Sequence, residues 1–193
     1  MSDTQQKTVQ RAGLYVIGAA LSFTVMGGVI KELGHMGLDT MSTVWLRNVC
    51  GLALLLPWMV RAGLAGMRTS HPGTHAVRDL TGLSAMFAFF YAIAHIPLAE
   101  AVLLTYTSPL FVPIIARIWL GETIPRHTWL AIGVGFIGLI FILRPGLGIF
   151  RPAAWIGWSS GFFAAFALTA IRRLSNAGEP DVRTVFYFAL TGT

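Results

Sequence analysis

Arg47, His95 and Glu100 stand inside or at the edge of long apolar runs, where an ionisable side chain is costly and usually marks a site. Arg47 lies about one turn into the run 43–60. Two readings fit it. Its guanidinium snorkels to the outer interface with its stem in lipid, or it is a fixed positive charge facing a cavity, where it pairs with an anion, with a ligand carboxylate or with Glu100. His95 and Glu100 flank the junction of the runs 80–99 and 100–120. They either titrate within the membrane or, for Glu100, favour the start of a helix by its charge. Four hydroxyl residues, Thr105, Tyr106, Thr107 and Ser108, immediately precede Pro109, and Pro113 follows one turn later. Proline removes a backbone donor and clashes with the preceding turn. A membrane helix tolerates this where hydroxyls, neighbouring helices or water satisfy the freed carbonyls, so a bend at Pro109 that faces protein or water is expected.

Helical spacing groups further candidates. Ser84, Phe87, Tyr91 and His95 fall on one face at i, i+3, i+7 and i+11, and Glu100, Leu104, Thr107 and Phe111 form a second stripe. Together they suit the wall of a mixed aromatic and polar pocket for an amphipathic small molecule; ordinary interhelical packing is the competing reading. Trp45 and Trp158 fit either a pocket or an interfacial anchor, whereas Trp58, Trp119, Trp129 and Trp155 lie near the ends of apolar runs, as anchors do.

Other motifs carry less. Gly133, Gly135 and Gly138 match the dinucleotide-binding fingerprint, but that motif needs a strand before it and a helix opening at the glycines. Inside an apolar run these glycines, like Gly157 and Gly161, are read as helix-packing positions. His71 and His75 have the spacing of helical metal ligands, yet Pro72 and Gly73 between them argue for a solvated loop, and no Cys or carboxylate completes the set. His35 and Asp39 have no nucleophile beside them. Cys50 is the single cysteine, which excludes an intramolecular disulfide. No metal, no cofactor and no enzymatic chemistry is expected.

The elements that must position these residues are set by composition. Of 193 residues, 55% are hydrophobic and 11% charged, with mean hydropathy +0.68; soluble domains carry about 25% charged residues. The net charge of +6 comes from Lys/Arg that punctuate apolar runs instead of forming one solvated face, so nucleic acid is not an expected partner. After a polar tail, residues 1–11, six apolar runs approach the roughly 20 residues needed to cross a bilayer: 12–30, 43–60, 80–99, 100–120, 128–143 and 152–171. A seventh starts at Thr184 and stops at Thr193. The first run is longer than a signal-peptide core and lacks a small-residue cleavage site after it. The fold class is therefore an all-α polytopic membrane bundle of six full spans and a truncated seventh. With the N-terminus in the cytoplasm, ten of the fourteen Lys/Arg fall on the inner side, Arg78 among them in a connection between runs, Lys31, Arg144 and Arg151 fall on the outer side, and Arg47 lies within the membrane; Glu122 is expected at the inner interface opposite Arg117 or Arg126. That asymmetry predicts an N-inside topology in the cell (inner) membrane.

Residues 78–146 resemble the repeat unit of the drug/metabolite transporter superfamily, EamA type. The resemblance rests on Phe90-Tyr91-Ala92 and Ala94, Pro97 to Ala101, Ser108-Pro109-Leu110-Phe111, Leu120-Gly121-Glu122, Trp129, and the closing Leu143-Arg144-Pro145-Gly146. It implies a multi-span secondary carrier of a small organic metabolite or drug-like compound, working by alternating access; a non-transporting membrane subunit or an inactive transporter fragment is the alternative. It implies as partners a small-molecule substrate and the lipid bilayer, with a homodimer as one way to complete a cavity.

An offset of 141 residues lays Lys31 on Arg172, Leu33 on Leu174, Gly37 on Gly178 and Thr43 on Thr184. It predicts a first five-span repeat over residues 12–146 and the start of a second over 152–193, which an odd span number would insert upside down, as in inverted-repeat transporters. A chain that stops within an apolar run is expected to be a fragment of a ten-span protein.

Overall fold

The structure, a computed structural model, describes residues 3–143 and 152–193. Among them are eight helices: α1 (Asp3–His35), α2 (Thr40–Met67), α3 (Pro72–His95), α4 (Leu98–Thr105), α5 (Ser108–Leu120), α6 (Arg126–Leu143), α7 (Pro152–Asn176) and α8 (Asp181–Thr191). Five stretches are long and apolar enough to cross a membrane: Gly13–His35, Thr40–Gly63, Pro72–His95, Leu98–Leu120 and Pro152–Asn176. The expected fifth span is α6, whose 18 residues rise about 27 Å.

Prolines and glycines divide the chain for identifiable reasons. Pro72 occupies the first turn of α3, where its missing donor is not needed. Ile96, extended before Pro97, ends α3. Gly121 takes the left-handed conformation that closes α5 (φ 70). The span 98–120 is broken into α4 and α5 at Tyr106–Thr107, just before Pro109.

The same helix-ending motif occurs twice. Gly37 (φ 88) follows α1 and Gly178 (φ 79) follows α7. Leu38 N donates to Leu33 O at 3.1 Å and Gly37 N to Gly34 O; the matching bonds run from Glu179 N to Leu174 O at 3.0 Å and from Gly178 N to Ser175 O. This is the Schellman pattern. Each partner is displaced by the interval from Gly37 to Gly178, and so are the last residue of the helix before the motif and the first residue of the helix after it. At the first of these corners the Asp39 carboxylate accepts bonds from Ser42 N and Oγ, which cap α2 and hold Asp39 below its ordinary pKa.

Helix α7 is the centre of the bundle. It packs against α3, α4 and α5, while α8 fills the space between α2 and α3, and α1 lies on α3. The core is made by Phe90, Ile93, Ile96 and Leu104, none more than 2% exposed. Outward-facing apolar side chains such as Leu54, Val60 and Ile118, each above 80% exposed, present the lipid-facing surface that a membrane bundle requires. Lys31 ties α1 to the end of α3: its Nζ donates to Ile93 O (2.6 Å) and Ile96 O (3.0 Å), placing a cation on carbonyls at a helix C-terminus. Lys31→Met is expected to lower stability by about 2 kcal/mol, read as a shifted unfolding midpoint in detergent micelles.

Candidate functional site

The break between α4 and α5 meets a glycine face on α7. Pro109 cannot donate to Thr105 O, and that carbonyl together with Leu104 O faces Gly161. A Cβ at Gly161 would lie 2.9 Å from Leu104 O, 3.3 Å from Thr105 O and in collision with Thr107 Oγ1. One turn earlier, Gly157 packs on Leu104 and Ala92. Thr107 Oγ1 donates to Leu104 O at 2.7 Å. Thr105 Oγ1 pairs with the fully buried Ser160 Oγ at 2.7 Å. The freed carbonyls thus face protein, although the Pro109 ring itself is exposed. Of the three glycines on α6, Gly135 meets Leu110 of α5, whereas a Cβ at Gly133 or Gly138 would touch nothing.

Beside this break lies a cavity of about 570 Å³, walled by α1, α2, α3, α4, α7 and α8. Phe23 of α1 stacks on Phe89 of α3 with ring centroids 5.2 Å apart, and both line it with Phe90 and Met86. Small residues on the facing helices, Gly82, Ala85, Ala164 and Ala167, keep it open. Two guanidinium groups enter it, from Arg47 and Arg78. Both lie over the ring of Phe188 of α8, Arg47 at 5.4 Å and Arg78 at 3.9 Å from its centroid, within cation–π range. Arg78 also pairs with the buried Asp79 at 3.4 Å, whose second oxygen accepts from Thr191 Oγ1 at 3.1 Å. Gly82 makes room for the Phe188 ring, since a Cβ there would lie 2.9 Å from it.

One helix turn from Asp79 is His75, 2% exposed, with neither ring nitrogen hydrogen-bonded and its ring 4.7 Å from that of Tyr187. Its neighbourhood is a knot between the α2–α3 connection and the α7–α8 turn. Glu179 accepts from Thr69 Oγ1 (2.6 Å) and Arg183 (2.5 Å) and faces His71 at 3.6 Å. Arg183 Nε donates to Gly66 O and Tyr187 Oη to Met67 O. Burial by itself raises the Glu179 pKa, but the bonds from Thr69 and Arg183, the Arg183 charge and His71 outweigh it and hold the group at about 2, against an ordinary 4.5. A carboxylate depressed in the folded state stabilises above its unfolded pKa and loses that contribution as pH falls through its folded value. Glu179→Gln is therefore expected to lower the melting temperature at neutral pH, and the gap from the parent is expected to close between about pH 4.5 and about pH 2, measured by thermal unfolding across that range.

The residues singled out from sequence fall in several places. Arg47 lines the cavity. Phe87 lines a second recess of about 400 Å³ with Trp45 and Leu83. Phe111 and Trp158 pack edge to face at 5.6 Å, within a cluster that includes Phe136 and Phe162. Tyr91 and His95 stack on each other at 4.0 Å, His95 being exposed. Ser84 Oγ is spent on Leu80 O, Thr107 stabilises the break, and Glu100 sits in the first turn of α4.

Three expectations need correction. His75 is not in a solvated loop; Pro72 starts α3 instead of ending a turn, and this carries His75 into the bundle. Arg78 is likewise not a loop cation. Glu122 pairs with Arg172 at 3.1 Å and not with Arg117 or Arg126, because α5 and α7 end side by side. Sequence reasoning missed Arg78, Phe89 and Phe188. A signal existed: residues 78, 82, 85, 86, 89 and 90 fall on one helical face, visible only if the third span is begun at Pro72.

The EamA-like transporter family model matches residues 10–144. The pseudopaline exporter CntI of Pseudomonas aeruginosa is 36% identical over 181 residues, covering 93% of this chain and 63% of that protein. A riboflavin transporter of Vibrio cholerae is 26% identical over 183 residues, 93% of this chain and 61% of that protein. An S-adenosylmethionine uptake transporter of Rickettsia conorii is 31% identical over 152 residues, 79% of this chain and 51% of that protein. The chain thus spans about three fifths of the length of the first two relatives and half of the third. No solved structure matches it.

Proposed function

Because the chain belongs to the EamA-like transporter family and is a multi-pass membrane protein with five helical stretches of spanning length and apolarity among its described residues, we propose that it forms part of a secondary transporter that moves a small organic metabolite or drug-like compound across the cytoplasmic membrane. The observation that carries this reading is the cavity between α1, α2, α3, α7 and α8. It lies within the spanning segments, is aromatic on its walls, and holds two cations. Its size falls in the range of small-molecule sites, and irregular backbone at the α4–α5 break beside it is tolerated at membrane depth only against protein or a water-filled cavity.

In this reading Arg47 contacts the substrate from α2, and Thr107 and Pro109 act through the break they create. Phe111 and Trp158 pack the flank of α7. Residues 12–146 form one repeat and residues 152–193 belong to a second, inverted one; the recurrence of the α1–α2 corner at α7–α8 supports that division. Rocking of one repeat against the other opens the cavity to each side in turn. The N-terminus is cytoplasmic, as the Lys/Arg asymmetry suggests.

The test is counterflow in proteoliposomes with labelled riboflavin, S-adenosylmethionine and aromatic carboxylates. Saturable uptake of at least one labelled compound into vesicles preloaded with its unlabelled form, abolished by excess unlabelled compound added outside, is expected. Leakage rates equal to protein-free vesicles for every compound would overturn the reading.

A further inference from the structure

We propose that the cavity takes substrates bearing an anionic group, a carboxylate or a phosphate, held between Arg47 and Arg78, with a planar apolar body against Phe23, Phe89 and Phe90. This rests on the transport reading and names its substrate class. The argument begins with the charges. Two guanidinium groups enter the cavity, and among the described residues one carboxylate, Asp79, forms an ion pair with either of them. Asp79 is divided between Arg78 and Thr191. Arg78 Nε is buried with no hydrogen-bond partner. Arg47 donates to the neutral amide of Asn48 at 3.2 Å, which leaves most of its five donors uncommitted.

The Arg78 side chain is 12% exposed and, among the described residues, its charge is answered only by Asp79, itself shared with Thr191, which is costly; a second cation beside it, the more exposed Arg47, adds repulsion. The Phe188 ring lowers part of that cost through its π face but offers no acceptor for the N–H groups. An anion does. Carboxylate and phosphate oxygens match the planar fork of arginine, and because both arginines line the one cavity, with their guanidinium carbons 5.4 and 3.9 Å from the same Phe188 centroid, a ligand anion there has both within its surroundings. The stacked Phe23 and Phe89 rings then supply a flat apolar wall next to the charged end. A cationic or neutral ligand would leave the two guanidinium groups unanswered.

The experiment uses the 193-residue chain in micelles free of anionic lipid. The probes are phenyl phosphate and benzoate, with benzyl alcohol and benzylamine as neutral and cationic counterparts of the same size. Phenyl phosphate and benzoate are expected to raise the melting temperature in a saturable way, and the two counterparts to leave it unchanged. Arg47→Gln is expected to weaken anion binding about tenfold or more, and Arg47→Lys to restore part of it. Arg78→Gln also strips Asp79 of its partner, so Arg78→Lys is the companion variant, expected to fold and to bind phenyl phosphate more weakly than the parent.

Equal shifts from all four probes, or unchanged anion affinity in Arg47→Gln and Arg78→Lys, would overturn the proposal. Phosphatidylglycerol added to the micelles separates a lipid headgroup from a free anion. Displacement of phenyl phosphate by that lipid would assign the site to a headgroup and overturn the substrate-class proposal. Anion binding without counterflow of any compound would sink the transport reading and leave the anion site standing; counterflow of compounds that phenyl phosphate and benzoate do not inhibit would do the reverse.

Discussion

Gly161→Val is expected to destabilise the bundle by about 3 kcal/mol, the upper end of the usual cost of overpacking. The reason is what the new Cβ meets. Leu104 O and Thr105 O are backbone atoms, and Thr107 Oγ1 is already committed to Leu104 O. None of the three moves without undoing the α4–α5 break, and the break cannot close into a regular helix because Pro109 lacks the donor that would complete it. The appropriate control is Gly133→Val, which puts the same side chain at an equally helical glycine where nothing lies within 4 Å of its Cβ and is expected to fall within about 0.5 kcal/mol of the parent. Unfolding midpoints in micelles compare the two. Equal effects would mean that the α7 glycine face does not set the packing.

Asp79→Ala is expected to cost about 3–5 kcal/mol, because removing one partner of a buried ion pair strands the other. Asp79 is 3% exposed and Arg78 lies over the Phe188 ring, so the stranded guanidinium has little access to solvent. Adding Arg78→Leu to Asp79→Ala is expected to recover most of the loss, since replacing both charges by apolar groups is far cheaper than leaving one. A double variant no more stable than Asp79→Ala alone would show that the pair is not the source of the cost.

Much of this architecture was legible because a bilayer allows few solutions. Runs of spanning length must be helices with their backbone bonds made internally, so the helix pairs and their order follow from where apolar sequence stops. The α4–α5 break was legible for a similar reason: Pro109 after four hydroxyl residues has few tolerated environments. Arg47 stood out because nothing near it in sequence is charged. What stayed hidden is what sequence leaves undetermined, namely which helices become neighbours. Arg78 and Asp79 read as a polar lead-in to a span, and only the packing of α8 against α2 and α3 turns them into interior charges. His75 was misplaced by one ambiguous proline, which starts a helix as readily as it ends a loop. The partner of Glu122 depended on α5 and α7 ending together, which no local pattern encodes.

Alternating access as proposed requires the cavity walled by α1, α2, α3, α4, α7 and α8 to be a water-filled path open to each side of the membrane in turn. Cys50 is the single cysteine, so Cys50→Ser gives a clean background for one introduced thiol. Ala85→Cys points into the cavity, while Leu54→Cys, at an outward position 81% exposed in the bundle, faces lipid. The measurement is the rate of modification of each thiol by a charged, membrane-impermeant methanethiosulfonate in vesicles, with reagent on one side or the other. Ala85→Cys is expected to react from both sides and Leu54→Cys to stay unreactive. An Ala85→Cys thiol as inert as Leu54→Cys, or one reached from a single side under every condition, would contradict alternating access through this cavity.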